Sequence, residues 1–280
     1  MIYFIPWGDK STASSRLRVH NILPYLPEAK LGPPEEYKEG DILIIQKALC
    51  LKELFKAKSQ GAKVIYDIDD NYLNHKTFSD MVNNADLVTV GGKHFHKWLP
   101  NSPVLDDSLD WDGTIKTDYT EKKLVGWHGY GNLGYIFKIA PTLEKKGFKI
   151  RTIVGKDYQE PYLKAGFDVK TWSLETIDKD LAECDFCCFY LPDDDFSQAK
   201  GMNKLIKAWA IGLPCFVSPT PEYKRVMEEA GVDGFLVTDW ETHDFSKKWE
   251  PKMREYALKF SCEAIANQWR TIIKSQSLPQ

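Results

Sequence analysis

The chain has 280 residues, 43% hydrophobic and 28% charged, with a formal net charge of −3. That length exceeds what one core usually serves, so two domains are expected, and the near-neutral balance excludes a global pull toward nucleic acid or anionic membrane. No apolar run approaches the ~20 residues of a membrane helix, and the opening MIYFIPWG is too short and lacks the basic flank of a signal peptide, so no membrane insertion and a cytoplasmic location are expected. Six cysteines are present, and Cys184, Cys187 and Cys188 fall in an apolar strand-like run with no second metal-spaced pair, which favours reduced core thiols over a metal site.

Residues 1 to 7 read as a buried strand, followed by a polar loop, GDKSTASS, and a helix from near Arg16 with Leu17, Val19, Ile22, Leu23 and Leu26 on one stripe. Ser14 or Ser15 either caps that helix or brings the loop to a ligand beside Arg16 and Arg18. Apolar runs at 41–46 and 63–66, separated by a helical stretch closed by Gly61, predict a parallel sheet with crossover helices. The second run exits into Asp67-Ile68-Asp69-Asp70-Asn71, at the carboxyl end of a strand, where open α/β sheets place ligands. The residues alone allow a D-x-D holding Mg²⁺ or Mn²⁺ against a diphosphate, an Asp67 nucleophile with Asp69 as acid, or a turn with capping aspartates.

A strand at 86–90 leads to Gly91-Gly92 and a short helix whose His94 and His96, two apart, cannot share a face. The Pro- and Asp-rich stretch 101–119 reads as an interdomain linker, placing domains at 1–118 and 119–250. The pattern restarts with a strand at 123–127 and a turn, His128-Gly129-Tyr130-Gly131-Asn132-Leu133-Gly134, of formal G-x-G-x-x-G type. A dinucleotide enzyme needs a carboxylate closing the next strand, but Ile150–Val154 runs into Gly155-Lys156, with Asp157 off the strand end. Further strands are expected at 169–172 and 185–191, then a loop, Asp193 to Asp195, that is solvated or contacts sugar hydroxyls. One long amphipathic helix is expected over 249–274.

The most informative stretch is Ala199 to Tyr223, AKGMNKLIKAWAIGLPCFVSPTPEY. A helix starting near Lys200 to Asn203 carries Met202, Leu205, Ile206 and Trp209 on its apolar stripe and ends at Gly212, and its amino end, with Lys200, Asn203 and Lys204, suits a phosphate. The frame Lys207-Ala-Trp-Ala-Ile-Gly-Leu-Pro-Cys215, then Glu222, then Gly231-Val-Asp-Gly-Phe-Leu-Val237, resembles the donor-sugar motif of group-1, glycogen-synthase-like glycosyltransferases of the GT-B fold. The family glutamate that holds the ribose falls on Lys207, and its partner falls on Ala199.

The resemblance implies an α/β architecture of two Rossmann-like domains facing a cleft, with a terminal segment, 251–280, crossing back to brace the first. It implies a nucleotide-diphosphate sugar as co-substrate, no metal requirement and retention of configuration. Donor contacts are then expected from Ser15, Arg16, His128, Gly129, Lys156, Lys200, Asn203, Lys204 and Lys207, with Asp69, Asp70 or His20 acting on the acceptor and His94 also open. Short chains of this kind resemble phage glycosyltransferases, some of which decorate hydroxymethylated DNA bases, with Arg16, Arg18 and Lys93 near backbone phosphate. A polysaccharide or small-molecule acceptor fits the charge equally, and an NAD(P)-binding oxidoreductase or a silent binding module remain the alternatives.

Overall fold

A computed structural model describes residues 1–72, 75–129 and 134–277, so Tyr130 to Leu133 of the Gly-rich turn lie outside the described residues. The chain divides into two compact units. Unit 1 comprises Met1–Leu109, Gln198–Gly201 and the segment from Phe260, and unit 2 comprises Asp110–Ser197 and Met202–Lys259. Alternating short apolar runs and helices produce a parallel sheet in each, as expected when crossover helices cover both faces.

Unit 1 holds β1 (Ile2–Ile5), β2 (Ala29–Leu31), β3 (Ile42–Gln46), β4 (Lys63–Ile68) and β5 (Leu87–Val90), in the order β2-β1-β3-β4-β5 and parallel throughout. Every residue of β3 is buried, which is why it reads as an uninterrupted apolar run. The N-terminal amine of Met1 pairs with Asp41 at 2.8 Å, tying the starts of β1 and β3 together. The three-residue edge strand β2 is half-buried at best and has no apolar run to betray it.

The helix predicted to begin at Arg16 is instead a single α-turn, Ala13–Ser15, continued by a π-helical turn, Arg16–His20, and a 3₁₀ turn, Leu23–Tyr25. π-Turns of this kind often sit at functional sites. The single helix predicted over 249–274 is also replaced by two, Pro251–Ala257 and Cys262–Ser277, with a 3₁₀ turn, Leu258–Phe260, between them. Ser261 explains the break, because its Oγ accepts the Ala264 amide at 3.2 Å and so caps a new helix. The second of these helices packs within unit 1: Trp269 is fully buried, edge-to-face with Phe4 at 5.6 Å, and Arg270 Nε pairs with Glu28 at 3.1 Å.

Unit 2 holds β6 (Leu124–His128), β7 (Lys149–Val154), β8 (Asp168–Thr171), β9 (Phe186–Phe189) and β10 (Cys215–Val217), ordered β10-β9-β6-β7-β8. The helix Asn203–Ile211 lies behind it and stops at Gly212, whose φ of +104° is the left-handed conformation glycine adopts most easily. Arg254 secures that end, donating to the carbonyls of Ala210 at 2.8 Å and Ile211 at 3.2 Å. The thiols of Cys187, Cys188 and Cys215 are fully buried in β9 and β10, and burial pushes their pKa well up. Among the described residues no helix is long and apolar enough to cross a membrane.

Candidate active site

Strand order locates the ligand edge in each unit. In unit 1 the order reverses between β1 and β3, and in unit 2 between β6 and β9, so each sheet has a crevice at the carboxyl ends of those strands.

At the edge of unit 1, the loop after β1 is held rather than loose. Gln46, at the end of β3, accepts the Trp7 amide at 3.1 Å and the Ser15 hydroxyl at 2.9 Å, and Ser15 Oγ itself accepts the Gly8 amide at 2.9 Å. Ser15 is therefore a staple between loop and strand and does not cap the helix. His20 Nε2 lies 3.1 Å from the Gly8 carbonyl oxygen, and Arg16 donates to the carbonyls of Lys10 at 2.9 Å and Ser11 at 3.3 Å. All three residues shape the loop that runs beside the crevice.

Arg18 corrects an expectation. It is fully buried and grips Asp67 bidentately, Nε to Oδ2 at 2.7 Å and Nη2 to Oδ1 at 2.6 Å, while Nη1 reaches Asp107 Oδ1 and the Leu105 carbonyl, each at 2.9 Å. Burial works against its charge, but the two carboxylates hold it protonated. Arg18 is thus a buried strut that no nucleic-acid phosphate can reach, and Asp67, which also accepts the Thr89 hydroxyl at 2.6 Å, is its counter-ion rather than a nucleophile.

The next two aspartates differ sharply. Asp70 lies between the ammonium groups of Lys47 and Lys200, hydrogen-bonded to both. Burial raises its pKa, but those two cations outweigh it and keep the carboxyl below its usual range. Asp69 has a side chain only 14% exposed, with Oδ1 buried and lacking a hydrogen bond, and Lys47 Nζ lies 3.7 Å from that oxygen. Burial, aided by the neighbouring Asp70 charge and offset in part by Lys47, pushes its pKa up to about 7. Two adjacent carboxyls whose pKa values are driven apart are what acid–base chemistry requires.

Lys47 was not legible in the sequence. It sits just past β3 with φ +59°, a left-handed conformation unusual for a side-chain-bearing residue, fixed by its amide donating to the Asp67 carbonyl at 2.9 Å and its carbonyl accepting the Tyr66 hydroxyl at 3.3 Å. Gly91 approaches the other side of Asp69: a Cβ there would stand 3.1 Å from the Asp69 Cα. Lys200, expected with the donor-binding group, belongs to unit 1 and completes the Asp70 pair. His94 stacks edge-on against Trp98 at 5.1 Å.

In unit 2, the helix starts at Asn203, and Lys204, half-buried in its first turn, places Nζ 5.3 Å from the ring centre of Trp127 and 5.1 Å from that of Phe189. Trp127 is in β6 and Phe189 ends β9, so the cation lies over the reversal point of the sheet on an aromatic ledge. His128 ends β6 with its ring edge-on to Phe189 at 5.2 Å. Gly129 follows directly, and its missing side chain matters, because a Cβ would come within 2.6 Å of the Trp127 ring. Lys156 is exposed just beyond β7.

Lys207 points elsewhere than to the ledge: its ammonium pairs with the buried Asp178 at 2.5 Å, tying its helix to Ile177–Ala182, and Asp178 also accepts the Asp112 amide at 2.9 Å. Glu222 is buried against Arg225 Nε at 2.8 Å, and Asp194 caps the turn at Asp195–Gln198 by accepting the Ser197 amide at 2.7 Å. A larger cavity of about 800 Å³, lined in part by Lys146, Phe148, Phe186, Pro214, His243 and Phe245, opens at the amino ends of β7, β9 and β10. It is on the wrong edge for the sheet's ligand crevice, so its size does not make it the site.

No protein-family model and no curated protein matches the sequence at a significant level. Solved structures do match. Anabaena HepE, solved with UDP, aligns at TM-score 0.70 and 14% identity over 98% of this chain and 99% of that one. A S. aureus TarM variant, in complex with UDP, alpha-GlcNAc-glycerol and fondaparinux, aligns at TM-score 0.61 and 15% identity over 84% of this chain but only 56% of its own, so this chain spans about half of TarM. AviGT4, a glycosyltransferase involved in avilamycin A biosynthesis, aligns at TM-score 0.61 and 10% identity over 99% and 97%. Two parallel Rossmann-like sheets of the observed order, matched along nearly the whole chain, bear out the architecture read from the sequence: this chain has the GT-B fold of those glycosyltransferases.

Proposed function

We propose that the chain is a glycosyltransferase that moves a sugar from a nucleoside-diphosphate sugar to an acceptor hydroxyl, with unit 2 binding the donor and unit 1 acting on the acceptor. The observation that carries this reading is Lys204, whose ammonium sits on the Trp127–Phe189 ledge at the reversal point of unit 2. A cation there neutralises charge on a departing diphosphate and so supplies the electrophilic help that a metal supplies elsewhere. HepE and TarM, both solved with UDP, support the same donor chemistry. Asp69, with its pKa near 7, is the group suited to take the acceptor's proton.

Hydroxymethylated DNA is the less supported acceptor, since Arg18 is sealed in an ion pair and Arg16 is committed to two loop carbonyls. The NAD alternative lacks its ribose carboxylate: β7 ends at Val154 and is followed by Gly155 and the exposed Lys156. Thermal denaturation with UDP, GDP and NAD⁺ separates the readings. UDP or GDP at a hundred times its dissociation constant is expected to stabilise the protein by about 2.7 kcal/mol, with no effect of NAD⁺. Stabilisation by NAD⁺ alone would assign the chain to the oxidoreductases.

A further inference from the structure

The carboxyl edge of unit 1 contains a pocket of about 300 Å³ formed by Trp7, Lys47, Leu49, Tyr72, His75 and Phe78. It opens where β1, β3 and β4 end, and three of its large apolar side chains are unusually exposed: Trp7 at 53%, Leu49 at 39% and Tyr72 at 43%. Such side chains gathered on one concavity mark a binding site more often than chance exposure. The pocket adjoins the acid–base pair through Lys47, which lines it, lies 3.7 Å from Asp69 and stands 5.4 Å from the centre of the Tyr72 ring.

The walls indicate what fits. Four of the six side chains are aromatic rings, and the one ammonium, on Lys47, is already committed to Asp70. A sugar ring buried here would surrender its hydroxyls' water to a lining that is mainly apolar, in which the polar atoms of Trp7, Tyr72 and His75 are the lesser part. A flat apolar ring loses nothing of the kind and gains edge and face contacts with Trp7, Tyr72 and Phe78. The volume suits one substituted ring.

We propose that this pocket seats the aromatic ring of the acceptor, an aryl or arylmethyl alcohol, and presents its hydroxyl to Asp69. The proposal rests on the transferase reading. In the step it describes, the Asp69 carboxylate takes the hydroxyl proton, the acceptor oxygen bonds to the anomeric carbon of the donor sugar, and the bond from that carbon to the diphosphate oxygen breaks, its electron pair leaving with the nucleoside diphosphate.

Binding can be tested without donor. Calorimetric titration with 4-nitrobenzyl alcohol is expected to show one site in the wild-type protein and at least tenfold weaker binding in Trp7→Ala and Tyr72→Ala. Both are surface substitutions, and unaltered thermal unfolding of ligand-free protein checks that they fold. Methyl α-glucoside and a hydroxymethylcytosine-containing oligonucleotide serve as competing acceptor classes, and neither is expected to show binding that these two substitutions weaken. Failure of the wild type to bind the aromatic alcohol, equal binding by both variants, or pocket-dependent binding of the glucoside or the oligonucleotide instead would overturn the assignment. If the alcohol binds as expected while neither UDP nor GDP raises the melting temperature, the pocket stands and it is the sugar-transfer reading that fails.

Discussion

Lys204→Ala is expected to abolish most of the rise in melting temperature that UDP or GDP produces, while leaving the ligand-free protein folded. A charge-assisted hydrogen bond to a phosphate contributes about 1.5–3 kcal/mol, so its loss weakens binding by about 10- to 150-fold. The aromatic ledge should place this residue toward the upper end, because Trp127 and Phe189 lie on the same side as the ammonium and displace water from it. Lys204 is half-buried, whereas Lys207 is buried against Asp178 and its removal would leave that carboxylate uncompensated. Nucleotide titrations of wild type and variant, read as melting temperature, check the result; an unchanged shift in the variant removes Lys204 from the donor site.

The second large effect concerns Asp69. Asp69→Asn is expected to lower the transfer rate by about 10²- to 10⁴-fold, the usual contribution of a positioned general base, with little change in UDP binding. The pH profile carries the sharper signature. A base works when ionised, and burial together with the Asp70 charge holds the Asp69 carboxyl near pKa 7, so activity should rise as pH passes upward through about 7. Asp70→Asn removes the neighbouring negative charge and frees Lys47 to face Asp69, both of which favour ionised Asp69 and move the rising limb to lower pH. A limb that stays in place in Asp70→Asn, or that survives in Asp69→Asn, assigns the ionisation to another group.

Much of the architecture was legible because buried parallel strands leave a clear trace: Ile42–Gln46 and Phe186–Phe189 are short runs that are apolar almost throughout. The exception, β2, is a short edge strand whose pairing depends on β1 and not on its own composition. The helix break at Ser261 escaped because a serine within an amphipathic pattern scores as tolerable until its hydroxyl is seen capping Ala264. At the site, Asp69 and Asp70 stood out as a cluster, but nothing local could tell which would keep its proton. That difference comes from Lys47 and Lys200, which are 23 and 130 residues from Asp70 in the chain. Arg18 misled for the same reason, since its partners Asp67 and Asp107 lie 49 and 89 residues away.

Amide hydrogen exchange of the wild-type protein with and without saturating UDP, or GDP if that is the nucleotide that stabilises it, tests the donor assignment most directly. Slowed exchange concentrated at His128–Gly129 and across the first turn of the Asn203–Ile211 helix is the result expected. Protection confined to the opposite groove around Lys146, Phe148 and His243, or no nucleotide-dependent protection in unit 2 at all, would contradict it.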